Sequence, residues 1–280
     1  MPELPEVETV VRGLRPCLEG HRLARVDQRR ENLRFPFPEN FVQRLEGRQV
    51  ARIGRRAKYI LMYLDDGQVL LCHLGMSGRM TVTDGTGAPP DKHDHVILTT
   101  DEGREVRFND ARRFGIMDLV PEVDLDAHPL LAGLGPEPLG NDFNGPELAR
   151  RLTGKRSPIK AALLDQRVVA GLGNIYVSES LFLAGLSPRR KAYTVQGGRA
   201  ERLAHAVREV LSRAIEAGGS SLRDYVQATG ELGYFQHSWA VYGREGVRCP
   251  DCDCDFAATG GIRRMVQSNR STFYCAVRQR

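Results

Sequence analysis

The sequence predicts an α+β, multidomain chain: an N-terminal β-sandwich or barrel with flanking helices, a helical second half, and a short cysteine-bearing tail. Three observations carry that reading. Short apolar runs separated by Asp-Asp-Gly and Asp-Glu-Gly turns fill residues 50–120. An apolar stripe at helical spacing runs from Leu203 to Ile215. From about Gly243 large apolar side chains become scarce, while four of the six cysteines lie between residues 249 and 275.

The first helix is expected from near Pro5 to about Leu14, with Glu6 and Glu8 in its first turns, where acid complements the helix dipole. Tyr59–Leu64 and Gln68–Leu74 flank Asp65-Asp66-Gly67 as a hairpin, and His95–Thr100 and Glu105–Phe108 flank Asp101-Glu102-Gly103 in the same way. Residues 131–146, rich in Gly, Pro and Asn, read as a linker. Ser157-Pro158 reads as an N-cap followed by Pro at the first helical position. Leu203, Val207, Val210, Leu211, Ala214 and Ile215 form a stripe for core packing, and Gly218-Gly219 ends that helix. The tail cannot bury a core alone, so it needs a metal or docking onto the helices. The domain boundaries expected are 1–132, 133–240 and 241–280.

Bulk numbers narrow the function classes. A length of 280 residues suits two domains, or one with appendages. The composition, 41% hydrophobic and 27% charged, is that of a globular protein. Without an eighteen-residue apolar run there is no membrane span to expect, and the start lacks the basic and apolar regions of a signal peptide; a cytoplasmic protein is the expectation. The net charge of +5 points weakly to nucleic acid, but its distribution says more. Phe256–Arg280 holds five arginines and no acidic residue, and Arg55, Arg56, Lys58 and Arg112, Arg113 are further clusters. Clustered positive charge beside aromatics and glycines suits phosphate contact. Cys17 and Cys72 stand apart and read as core, whereas the Cys-x-x-Cys start of the later group suggests metal over disulfide.

The first residues are Met-Pro-Glu-Leu-Pro-Glu. Removal of Met1 leaves Pro2 as a secondary amine, and an α-amino group of pKa about 7.7–8.0 is partly neutral at physiological pH. A neutral amine can attack a sugar C1′ and form a Schiff base, with Glu3 beside it as general acid. Taken alone, these residues also serve as an ordinary helix lead-in.

The rest of the chain decides between the two. Met1–Val10 (MPELPEVETV), Arg55-Arg56-Ala57-Lys58-Tyr59, His73-Leu74-Gly75-Met76-Ser77-Gly78 and Lys92-His93-Asp94-His95 stand in that order. Asn109–Gly115 (NDARRFG), Leu134–Leu139 (LGPEPL), Gly171–Tyr176 (GLGNIY), Gly233–His237 (GYFQH), Val241–Arg244 (VYGR) and Arg270–Cys275 (RSTFYC) continue it. Together they resemble the formamidopyrimidine-DNA glycosylases over nearly the whole chain. The resemblance implies a catalytic β-sandwich domain, a helical domain with a helix–two-turn–helix element, and a β-hairpin finger. It implies a monomer that acts on damaged double-stranded DNA, nucleoid-associated in a bacterium, excising oxidised purines and cutting the backbone. Pro2, Glu3, Lys58 and Arg270 are then catalytic: Pro2 as nucleophile, Glu3 as acid, Lys58 as proton donor in β-elimination. Arg270 would serve δ-elimination as a stabiliser of the leaving phosphate, since its pKa exceeds 12. Met76, Arg112 and Phe114 match the side chains that fill the void left by a flipped base; without the resemblance Met76 and Phe114 read as core. His93, Lys155 and Asn174 match further DNA contacts, Asn174 beside glycine-rich backbone and a helix N-terminus suited to a phosphate. Gly218–Asp224 reads as a lid whose exposed amides meet a purine carbonyl.

One departure matters. The resemblance implies two Cys-x-x-Cys pairs in the finger. Cys249-Pro250-Asp251-Cys252 is intact, but the second pair reads Cys275-Ala276-Val277-Arg278. The extra Cys254 is the candidate fourth ligand of one zinc with Cys249, Cys252 and Cys275, although Cys252-x-Cys254 is tight for two ligands. A metal-free finger held by docking is the alternative. Two rival functions stand: a sister glycosylase preferring oxidised pyrimidines, and a damaged-DNA-binding homologue without catalysis. Leu4 and the Gly233–His237 segment favour the purine class.

Overall fold

A computed structural model describes residues 1–85, 87–221 and 227–280. The chain divides into two compact units, Met1–Ala132 with Ile215–Gln236, and Gly133–Ala214 with His237–Arg280.

The first unit opens with α1 (Leu4–Leu18), followed by β1 (Leu23–Gln28) and the short α2 (Phe41–Leu45). Seven strands follow: β2 (Val50–Arg56), β3 (Tyr59–Leu64), β4 (Gln68–His73), β5 (Arg79–Thr83), β6 (Asp94–Thr100), β7 (Glu105–Asn109) and β8 (Ile116–Pro121). They build two four-stranded antiparallel sheets, ordered β1-β6-β7-β5 and β2-β3-β4-β8. Period-2 alternation makes the sandwich: Val26, Val96, Leu98, Val106 and Phe108 of one sheet share a single buried cluster with Ile53, Ile60, Met62, Leu70 and Met117 of the other. Both expected hairpins form, with Gly67 (φ 78°) and Gly103 (φ 81°) in the left-handed conformation their turns require. Helix α1 adds Val7, Val10, Val11, Leu14, Cys17 and Leu18 to the same cluster. It runs four residues beyond its expected end because that apolar stripe continues, and Pro16 sits in the last turn. Cys17 and Cys72 are core residues, as expected.

The second unit contains α3 (Gly145–Leu152), α4 (Ile159–Leu164), α5 (Asn174–Leu183), the bulk of α6 (Gly198–Glu216), a single turn α7 (Phe256–Thr259), and a hairpin of β9 (Arg263–Gln267) and β10 (Arg270–Tyr274). The stripe of α6 is buried at all of its expected positions. Two expectations shift. Residues 131–146 are packed more tightly than a linker: Phe143 is fully buried, and the Arg208 guanidinium donates to the carbonyls of Gly140 and Phe143. Gly145 and Pro146 already belong to α3, capped by the Asn144 side chain at the Glu147 N–H. Pro158 itself is the N-cap of α4, so the helix starts one position later than expected, and the Ile159 N–H goes to the Arg190 carbonyl. The β9–β10 turn places Ser268 (φ 49°) and Asn269 (φ 58°) both left-handed, a two-residue turn that matches strand twist.

Candidate functional site

Pro2 and Glu3 are buried immediately ahead of α1. The Glu3 N–H donates to Glu6 Oε2 at 2.8 Å, and Glu6 Oε1 accepts the Ser220 N–H at 2.8 Å. One carboxylate thus ties the start of the chain to a segment more than two hundred residues later. Sequence reasoning treated Glu6 only as a first-turn acid; the Glu3-x-x-Glu6 spacing of a capping box was the available signal. Of the expected lid, Leu222, Arg223 and Asp224 lie outside the described residues. Gly218 and Gly219 have positive φ as a turn requires. The amides of Ser220 and Ser221, however, already donate to Glu6 and to Gln236 Oε1 (3.0 Å), so these two are not spare donors for a base.

Lys58 is buried beside the β2–β3 turn, where Ala57 has φ 53°. Arg55 sets that turn: its Nε donates to Glu8 Oε2 on α1 at 2.9 Å and its Nη1 to the Ala57 carbonyl at 2.9 Å. Burial alone would raise the Glu8 carboxyl, but the guanidinium groups of Arg55 and Arg12 together outweigh it and hold the group below its usual range. His73, at the end of β4, was not singled out as a site residue. Its ring packs against that of Tyr59 at a tilt of 47°, centroids 4.9 Å apart, and its Nδ1 accepts the Gly75 N–H at 3.0 Å. Burial, reinforced by the positive charges of Lys58 and Arg34, pulls its pKa down to about 4. It is therefore neutral with its proton on Nε2, a fixed donor beside Lys58. The signal was present in His73-Leu74-Gly75, read only as the loop before Met76.

Met76 is 40% exposed and Phe114 43% exposed, which overrides the core reading that hydrophobicity alone gave. Arg112 is exposed, with its guanidinium 5.0 Å from the Phe114 ring. The half-buried His93 gives its carbonyl to the Asp110 N–H at 3.0 Å.

In the second unit Asn174 is the first residue of α5, behind Gly173, as expected of a helix N-terminus. Its Nδ2 donates to the Ser271 carbonyl at 3.0 Å, and its Oδ1 is buried without a hydrogen-bond partner among the described residues. Arg270 is exposed, one residue before Ser271. Lys160, missed from sequence, is fully buried; its Nζ donates to the Ser271 carbonyl at 2.8 Å and to Thr272 Oγ1 at 2.7 Å. A lysine inside the apolar run Ile159–Leu164 was the available signal, because such a charge is buried only when a specific partner awaits it. Glu179 on α5 accepts the N–H groups of Ala240, Val241 and Tyr242, yet burial still raises its carboxyl above the usual range. Lys155 lies with its ammonium 4.0 Å from Asp165 Oδ2.

The cysteines converge. The Sγ atoms of Cys249, Cys252, Cys254 and Cys275 all lie within 4.8 Å of one another, and Cys249, Cys254 and Cys275 are buried. Zn–S bonds of about 2.3 Å place tetrahedral sulfurs roughly 3.8 Å apart, so four thiolates in this arrangement fit a metal ion. Arg278 occupies the place where a second pair would end. It faces inward: Nε donates to the Phe182 carbonyl (3.2 Å), Nη1 to the Asp251 carbonyl (3.1 Å), and the guanidinium lies 4.9 Å from the Phe182 ring. These contacts make Arg278 a clamp between the finger and α5.

Residues 1–117 match the model of the formamidopyrimidine-DNA glycosylase N-terminal domain. Residues 134–226 match that of the formamidopyrimidine-DNA glycosylase H2TH domain. A formamidopyrimidine-DNA glycosylase of Rhodospirillum centenum is 62% identical over 290 residues, covering all of both chains. The chain belongs to the formamidopyrimidine-DNA glycosylase family.

Solved members of the family share the fold. The crystal structure of MutM (Fpg) from Thermus thermophilus is 42% identical, with TM-score 0.86 over 99% of this chain and 98% of that one. A complex of wild-type Lactococcus lactis Fpg (MutM) with DNA containing N7-benzyl-Fapy-dG is 32% identical, with TM-score 0.89 over the whole of both chains. Helices α4 and α5 lie within the matched H2TH region. None of the described helices is long and apolar enough to cross a membrane.

Proposed function

We propose that this glycosylase excises oxidised purines from damaged double-stranded DNA and cleaves the resulting abasic site, with Pro2 as nucleophile. The observation that carries the reading is the head of α1, where Pro2 and an acid, Glu3, are buried together and locked in place by Glu6. Once Met1 is removed, the Pro2 nitrogen lone pair bonds to C1′ and the glycosidic electron pair leaves with the base, which takes a proton from Glu3. Opening of the sugar gives an iminium whose positive nitrogen acidifies the C2′ protons. Loss of one of them expels the 3′ phosphate with the C3′–O pair, and a second elimination expels the 5′ phosphate. Lys58, set by Arg55, serves as proton donor in the first elimination. Arg270, set through its neighbour Ser271 by Lys160 and Asn174, stabilises the phosphate leaving in the second. Met76, Arg112 and Phe114 fill the void of the flipped nucleotide, while His93, Lys155 and Asn174 contact the DNA. The support for the whole scheme is residue-by-residue match to the family motifs and the named complexes of relatives with damaged DNA.

We further propose that the finger binds one zinc through Cys249, Cys252, Cys254 and Cys275. When bound, the metal supplies no chemistry beyond closing a structural shell; the cysteines, by holding it, fix the hairpin that carries Arg270. The chain functions as a monomer in the cytoplasm. Base release from duplexes carrying an oxidised purine or an oxidised pyrimidine tests the function: preferential purine release is expected, and preferential pyrimidine release assigns the chain to the sister class.

A further inference from the structure

The loops that carry Met76 and Arg112–Phe114 are separate in sequence, and neither is part of a strand. They share one buried polar node. The Asp110 carboxylate is fully buried; its Oδ1 accepts the Ser77 hydroxyl at 2.6 Å and its Oδ2 accepts the Gly115 N–H at 2.8 Å. Ser77 Oγ in turn accepts the Arg112 N–H at 3.1 Å. The main chain of Asp110 is held as firmly. Its N–H donates to the His93 carbonyl, and its own carbonyl accepts His95 Nε2–H at 2.8 Å and the Arg113 N–H at 3.2 Å. Gly75 (φ 63°) closes the contact, because a Cβ there would collide with the backbone of Phe114 and Gly115.

We propose that Ser77 and Asp110 are positioning residues that couple the two loops, so that Met76, Arg112 and Phe114 enter the duplex as one preset unit. Each of the three side chains is at most one residue from the node: Met76 precedes Ser77, Arg112 gives its own N–H to it, and Phe114 precedes Gly115. An exposed wedge pushed into stacked bases must resist folding back, and these loops have no ladder of their own to stiffen them. A carboxylate that spends both oxygens on the two loops supplies that stiffness, and its burial makes loss of either bond costly. This inference rests on the void-filling reading of the three side chains.

The test measures dissociation constants for a duplex containing a tetrahydrofuran abasic analogue and for the same strand unpaired. The proteins are wild type, Met76→Ala, Arg112→Ala, Ser77→Ala, Ser77→Thr and the double variant of Met76→Ala with Ser77→Ala. Ser77→Ala, which deprives both Asp110 Oδ1 and the Arg112 N–H of their partner, is expected to weaken duplex binding about tenfold. Single-strand binding should stay within about twofold, and the double variant should be no weaker than the weaker single one. Ser77→Thr keeps the hydroxyl and should restore duplex binding. Asp110→Asn, which breaks the node from its other side, should give the same duplex-selective loss if melting shows that Ser77→Ala has lost its fold. Equal loss on duplex and single strand, or full additivity with Met76→Ala, overturns the coupling while the void-filling reading stands. If Met76→Ala and Arg112→Ala themselves show no duplex preference, the void-filling reading fails, and the coupling falls with it.

Discussion

The head of α1 and the hairpin at the chain's end each hold side chains on which the proposed mechanism depends, by different physical means. Pro2 and Glu3 lie immediately ahead of a helix whose Val7, Val10, Val11 and Leu14 are locked into the core of the sandwich. Their position is inherited from apolar packing and only refined by Glu6. Arg270 stands on a two-stranded hairpin whose buried cluster is a handful of residues, three of them the cysteines Cys249, Cys254 and Cys275. Its position depends on polar nodes: Lys160 and Asn174 at Ser271, and four thiols. A two-stranded hairpin is marginal by itself in water. The lesson is that the first step of the reaction should be robust to perturbation of the fold, and the last step fragile.

Separating the steps gives the largest expected effect. Glu3→Gln should lower release of oxidised purine by roughly 10²–10⁴-fold, the usual worth of a placed general acid. Cleavage of preformed abasic sites should survive, because no base remains to be protonated. Lys58→Ala should do the reverse, cutting strand scission more than base release. Gel assays on lesion and abasic duplexes decide this, and equal loss of both activities in Glu3→Gln contradicts the division.

The finger should break separately from the sandwich. Tag-free protein is expected to carry one zinc per chain by elemental analysis. Cys254→Ser should surrender it to a chelator that leaves the wild type loaded, and chelation should impair strand cleavage before base release. Active enzyme with well under one metal per chain would mean that docking onto Phe182 and Val241 suffices to hold the hairpin.

A smaller effect sharpens the comparison within the sandwich. His73 titrates near 4 when folded, against 6.5 as its ordinary value. Between those values the unfolded chain takes up the proton and the folded one does not, so stability present at pH 7 is lost as pH falls from about 6.5 toward 4. The loss amounts to at most about 3 kcal/mol. Denaturant melts should show a shallower acid decline for His73→Gln than for wild type; parallel declines would mean that His73 is not held neutral.

The sandwich, its hairpins, the α6 stripe and the family were legible in the sequence because each is written in local pattern or in contiguous motif. The nodes that hold the site were not. Lys160 meets Thr272 across 112 positions, Ser77 meets Asp110 across 33, and Glu179 meets a run of backbone N–H groups. Such pairings leave no periodicity, and their partners are often main chain, which every residue offers. Glu6 and His73 were visible inside quoted motifs, the one read only as a first-turn acid and the other only as part of a loop, because a residue's partner, more than its type, fixes its task. Arg278 makes the same point: its charge says nothing of the aromatic ring and the two carbonyls it meets.

The central claim, covalent attack by the Pro2 amine, is tested most directly by borohydride trapping on abasic duplex DNA followed by peptide mapping of the cross-link. Enzyme with its initiator Met removed should be trapped, with the DNA remnant on Pro2, and Pro2→Gly, which keeps a primary amine, should trap in part. Enzyme with a blocked N-terminus should give no cross-link. Full trapping or full lyase activity with the terminus blocked, or a cross-link mapped to a lysine, would contradict it.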